Sequence, residues 1–110
     1  MITDDDIDKA LDFLRNKSEQ HSIDKANRIY MEQFTKTVLA NEMLKLTDEK
    51  SVAAKEIIAR NSQVYLKQLD ALKTAIQIDE HNRFLRTTAH AKIDAWQTMC
   101  ANKRIHDKTI

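Results

Sequence analysis

The chain has 110 residues, no glycine, no proline, 32% charged residues and a formal net charge of +1. That length suits one small domain. The missing turn formers argue against a β or α/β fold and exclude glycine-rich phosphate loops and dinucleotide fingerprints, whose backbones must approach the ligand without a Cβ. What remains is an all-α chain, since polar residues can cap and link helices without either residue.

A first helix is predicted over roughly 3–18. Thr3 is a good N-cap, and Asp4, Asp5 and Asp6 fall in the first turn, where the helix dipole favours negative charge. Ile7, Ala10, Leu11 and Leu14 recur at helical spacing, and the helix is expected to fade over Asn16 to Gln20. A second helix is predicted over roughly 22–46, from Ser22. Ile23, Ala26, Tyr30, Phe34 and Val38 share one face, and Leu39, Met43 and Leu46 continue along an adjacent one. Asp24–Arg28 and Glu32–Lys36 are i,i+4 pairs in the favourable order. Thr47, Asp48, Glu49 and Lys50 form the expected turn. Ser51 then caps a short third helix, 51–60, that should bury Val52, Ile57 and Ile58. Asn61 and Ser62 mark a break, because both favour caps and turns over helix interiors.

From Ser62 nothing stops a fourth helix, 62–106, until about Ile105; at ~1.5 Å per residue it is roughly 65 Å long. Tyr65, Leu69, Leu72 and Ile76 make one apolar stripe. Ala71, Ala75, Ile78, Leu85, Ala89, Ile93, Trp96 and Cys100 make another. Leu69 and Leu85 differ by about 160° of rotation, so the apolar face is expected to change sides near Ile76 to Glu80. Either the helix breaks there or its halves pack on different partners. The second is preferred: the earlier helices cover the first half, and another chain covers part of the second, as a homodimer. A strict coiled coil is not favoured, because apolar a and d positions are not sustained over several heptads. The fold expected is a single all-helical domain, 1–110: an elongated helical hairpin or bundle of about four helices with one very long C-terminal helix.

No catalytic, metal or cofactor site emerges. His81 and His90 are nine apart, on opposite faces, so only His90 and Asp94 share i,i+4 spacing; a surface pair explains them. Cys100, the single cysteine, lies on the apolar stripe with Ile93 and Trp96 and reads as a small hydrophobe. Asp4, Asp5, Asp6 and Asp8 are explained by a helix start, and Asp79 and Glu80 by pairing with Arg83. The chain therefore reads as a non-enzyme that takes no cofactor. No apolar run approaches a membrane span, and the acidic MITDDDID lacks the apolar core of a secretory signal. A cytoplasmic location fits.

Charge is unevenly distributed. Residues 1–20 hold six acidic and three basic side chains, and residues 81–110 hold two acidic and six basic ones. Arg83, Arg86, Lys92, Lys103 and Arg104, with Trp96 among them, form the candidate partner-binding set. Trp and Arg are enriched at interface hot spots, and a long amphipathic helix offers a docking face. The competing reading is a grip on DNA or RNA phosphates, although Lys92 and Lys103 are out of register with Arg83. A virion or assembly component is a third.

The runs KANRIYMEQFTKTVLANEM and DEHNRFLRTTAHAKIDAWQTMCANKR, with DKALDFLRN before them, resemble a family of small all-helical proteins of tailed phages and prophages. The marked positions are Arg28, Tyr30, Glu32, Lys36, Met43, Tyr65, Arg83, Arg86, Lys92 and Trp96; the family commonly has Arg after the Trp, where Gln97 stands here. The resemblance implies an accessory role in phage DNA metabolism, near recombination and replication genes, in the bacterial host cell, and it supplies no mechanism.

Overall fold

In the computed structural model, residues 1–48 and 51–109 are described, and among them the fold consists of three helices and no strand. They are α1 (Asp4–Leu44), α2 (Val52–Arg60) and α3 (Gln63–Thr109). The all-α expectation holds, but the helix count falls by one because α1 runs unbroken through Asn16 to Gln20. That segment contains no helix breaker. What lapses there is amphipathicity: Arg15 to Gln20 are all exposed, and Ser18 Oγ bonds back to the Arg15 carbonyl at 3.2 Å. Straight-chain residues hold helical backbone well without an apolar stripe.

The helix boundaries are made by side chains. At the start of α1, the Thr3 hydroxyl accepts from the Asp6 amide at 3.1 Å, while the Asp6 carboxylate accepts from the Thr3 amide at 2.9 Å. This reciprocal box satisfies donors that a helix start leaves open. Ser51 caps α2 by accepting from the Ala54 amide. Asn61 closes α2, with its backbone N–H on the Ala59 and Ile58 carbonyls and its side-chain amide on Ile57 O at 2.7 Å. Ser62 then opens α3, its hydroxyl accepting from the Tyr65 amide at 3.2 Å. The expected break at Asn61 and Ser62 is thus a two-residue joint. Of the expected turn, Thr47 and Asp48 are in a turn, and Glu49 and Lys50 lie outside the described residues.

Burial along the two long helices follows an alternating three- and four-residue step. On α3 the covered positions include Tyr65, Gln68, Leu72, Ala75, Asp79, Asn82, Arg86, Ala89, Ile93, Trp96 and Cys100. On α1 they include Ile7, Ala10, Leu14, His21, Asp24, Arg28, Met31, Thr35, Val38 and Glu42, with the step at Lys17 exposed. This is the spacing of a coiled-coil seam. The expected change of face near Ile76 to Glu80 does not occur. Asp79, Asn82 and Arg86 carry the covered face through that stretch, and Leu69, Ile78 and Leu85 stand off it, exposed. An apolar-only pattern misses a seam whose middle is polar.

The chain divides into two compact units, Met1–His21 with Glu80–Ile110, and Ser22–Asp79. In the second unit, α1 and the first part of α3 pair antiparallel. Gln68 Nε2 donates to Thr35 Oγ1 at 3.3 Å, and Arg28 Nε lies 2.8 Å from Asp79 Oδ2. The Arg28–Asp79 approach is an ion pair rather than an aligned hydrogen bond, and both Arg28 Nε and Asp79 Oδ1 are buried without a hydrogen-bond partner. Arg28 reaches Glu32 only at 3.9 Å. α2 rests on Ala59, 1% exposed, and Arg60 grips Glu56 and the Tyr65 hydroxyl. Val52, Ile57 and Ile58, expected in the core, are exposed, and the buried residue of α2 is the small Ala59. Ile23, Ala26, Tyr30 and Phe34 also face outward; of that expected face only Val38 is buried. Tyr30 and Phe34 stack on each other, with ring centroids 5.7 Å apart.

Breaking a buried ion pair from one side strands the other charge. Asp79→Ala is therefore expected to destabilise the fold by about 3 kcal/mol, measured by urea unfolding. The double variant Asp79→Leu with Arg28→Leu should recover most of that loss. A double variant no more stable than the single would show that the pair's charge does not govern stability.

Candidate partner-binding surface

The first unit places the start of α1 against the later part of α3. Trp96 Nε1 donates to Asp4 Oδ1 at 3.0 Å, and Arg86 approaches His21 Nδ1 at 3.1 Å. The pairing is antiparallel, with Ile7, Ala10 and Ala89 buried between these two anchors. A guanidinium has no acceptor, so in the Arg86 contact Nδ1 must accept, which places the His21 ring proton on Nε2. Phe13 packs edge-on against the His21 ring at 5.6 Å.

The six candidate residues do not share one surface. Arg86 turns into the seam and is half-buried against His21, so it is not part of an outward basic face. Arg83 is exposed and lies 3.3 Å from Glu80; the expected Asp79–Arg83 pair is replaced, since Asp79 is taken by Arg28. Lys92 is exposed beside a groove that Asp6, Lys9 and Phe13 also line. Trp96, Lys103 and Arg104 do come together, around a hollow completed by Gln97, Cys100 and Asp107. A second hollow on the Trp96 side has Met1 and Ile2 along one edge and Met99, Cys100 and Lys103 along the other. Cys100 is a free, half-buried thiol. Phe84, by contrast, stands out from α3 at 67% exposure, away from Trp96.

The sequence pattern did not foretell the contacts of His21 with Arg86, Asp4 with Trp96 and Arg28 with Asp79, or the burial of Asn82. Their signal was present: each of His21, Arg28, Asp79 and Asn82 falls on the three-four step of its helix. Finding it required admitting polar side chains as seam positions.

The unit's charge is balanced. Residues 1–21 and 80–110 together hold nine acidic and nine basic side chains. The acidic start of α1 therefore lies against the basic part of α3 and offsets much of its field. The Asp6 carboxyl is held below its ordinary value, first by the Thr3 amide and then by the Thr3 hydroxyl, with Lys92 and Lys9 adding smaller attractions. Lys9 is held above its ordinary value by its hydrogen bond and charge contact with Asp5, 3.0 Å away.

Among the described residues no group of three or more His, Cys, Asp or Glu side chains could hold a metal ion, and no helix is long and apolar enough to cross a membrane. No protein-family profile, no curated protein and no solved structure matches the chain.

Thr3→Ala should lower stability by about 1 kcal/mol, the usual cost of losing an N-cap hydroxyl, read from thermal or urea unfolding. The acid side carries a further signature. Because the folded Asp6 pKa is lowered, its contribution is present above the unfolded value of 3.8 and is lost as pH falls through the folded value. Asp6→Asn should therefore flatten stability against pH below about 4, and leave its slope at higher pH unchanged. An unchanged acid limb in that variant would show that the capping box does not shift Asp6.

Proposed function

We propose that the chain is a non-enzymatic binding protein that recognises another protein through the last turns of α3. Its setting would be the bacterial cytoplasm, in phage or prophage DNA metabolism, recombination or the modulation of a host factor. The observation that carries the docking reading is the surface around Trp96. A large aromatic ring is only half-buried, an exposed Met99 and a half-buried Cys100 adjoin it, and Lys103 and Arg104 rim the hollow. Aromatic residues, Met and Arg are enriched at protein interfaces, and Trp and Arg among their hot spots. The biological setting rests on the sequence resemblance alone.

The nucleic-acid reading has one observation in its favour: Arg83, Lys92, Lys103 and Arg104 are all exposed. Against it stand the even charge balance of the unit and the inward turn of Arg86. A polyanion is held mainly by net positive charge along its track, and here four aspartates at the start of α1 lie in the same unit. We place self-association as a homodimer, expected from the sequence on the second half of the last helix, instead on α2, which leaves Val52 70% and Ile57 65% exposed. Ile57→Asp should shift the sedimentation coefficient from dimer to monomer, and a coefficient that does not move would remove α2 from any dimer contact.

The docking reading is tested by capture from bacterial lysate with tagged protein, divided into nuclease-treated and untreated halves. A protein retained after nuclease and lost with Lys103→Glu plus Arg104→Glu is the expected result. Capture that disappears with nuclease would replace the protein partner by DNA or RNA. Capture that ignores the double substitution would move the surface elsewhere.

A further inference from the structure

We infer that the last turns of α3 receive an acidic amphipathic helix from the partner protein. This deepens the docking reading above and rests on it. The first support is the continuation of the seam. α1 is stopped by its capping box at Thr3, and Asp4 lies against Trp96. α3 runs on from Gln97 to Thr109, thirteen residues, or about 20 Å at 1.5 Å per residue. Trp96 and the half-buried Cys100 keep the three-four step of the covered face, and the exposed Lys103 falls at its next position. The hollow on the Gln97 side is lined by α3 alone. A helix face of this spacing can take a second helix laid along it.

Charge selects the helix. Lys103, Arg104 and Lys108 surround the apolar residues here, with Asp107 the one acidic side chain in the segment 97–109. The unit also contains its own example of what this helix accepts. One stretch earlier, α3 is covered by a helix that carries Asp4, Asp5, Asp6 and Asp8 around the buried Ile7 and Ala10. An apolar stripe flanked by carboxylates already packs against this helix, and on the Gln97 side the next turns present a cationic, half-apolar surface lined by α3 alone. A second copy's α3 end would bring like charges together. A nucleic acid would leave the apolar side of the hollow at Trp96 and Cys100 without an apolar partner. A helix with Leu-like residues on one face and Glu or Asp beside them satisfies both needs.

Trp96 is the chain's single tryptophan, so its emission reports this surface directly. The test uses the full chain and three probes. One is a 14-residue helical peptide with Leu at three-four spacing and Glu at the flanking positions. Another is the same peptide with Lys in place of Glu. The third is a short DNA duplex. The expected result is a saturable blue shift with the acidic peptide only. Its affinity should fall at least tenfold in Lys103→Glu plus Arg104→Glu, and remain unchanged in Lys67→Glu plus Lys73→Glu, which alters charge on the other unit. Circular dichroism of each variant confirms that it is folded, and Lys103→Ala plus Arg104→Ala repeats the test without reversing charge. Equal response to both peptides, or a response that survives both double substitutions, overturns the acidic-helix assignment. A Trp96 response to the duplex but not to either peptide overturns it and the protein-docking reading together. If the protein captured from lysate binds this surface without an acidic helix, the docking reading stands and the acidic-helix assignment falls.

Discussion

Burial of the Asp79 carboxylate, only 5% exposed, is the constraint from which much else follows. A carboxylate taken out of water costs several kcal/mol unless a cation accompanies it, and Arg28 supplies that cation at 2.8 Å. The contact is close but poorly aligned, leaving Asp79 Oδ1 and Arg28 Nε without hydrogen bonds. Such a pair adds little to net stability beyond what an apolar pair of similar size would. It acts instead on register. Sliding α1 by one turn within the second unit would leave both charges buried alone, a penalty that aliphatic side chains would not impose.

The same logic governs the first unit with different chemistry. There the polar seam position is His21, met by Arg86, and the register is reinforced at the other end by the indole of Trp96 on Asp4. Alanines at the covered positions, Ala10 and Ala89, allow the helices to approach closely between these anchors. In the second unit, Gln68 with Thr35 and the buried Ala75 do comparable work. Each unit thus combines small residues for proximity with a few polar contacts for specificity. Long helices with mixed faces gain little from their own amphipathicity, and tertiary packing must stabilise them.

Charge follows the same division. Read along the chain, the acidic start and the basic last third look like two separate poles. Folded, they are neighbours, and Lys92 lies close enough to Asp6 to help hold its carboxyl ionised. The basic side chains that remain without an acidic helix beside them are those past Trp96, which is why the functional reading concentrates on Lys103 and Arg104 rather than on Arg83 or Arg86.

The helical class, the capping residues Thr3 and Ser51, the joint at Asn61 and Ser62, and the great length of the last helix follow from the sequence by itself. These are local properties: hydroxyl acceptors at helix starts, and a backbone with no glycine or proline to interrupt it. The continuity of α1 through Asn16 to Gln20 is also a local property, since straight-chain residues hold helical backbone without an apolar stripe. Only the tertiary structure decided which face is covered. Tyr30, Ile57 and Leu85 are apolar yet exposed, while His21, Asp79 and Asn82 are polar yet buried. Hydrophobic pattern cannot rank these, because a polar side chain becomes tolerable in a seam only when a partner stands opposite. The partners of Asp79 and His21 lie 51 and 65 residues away in the chain.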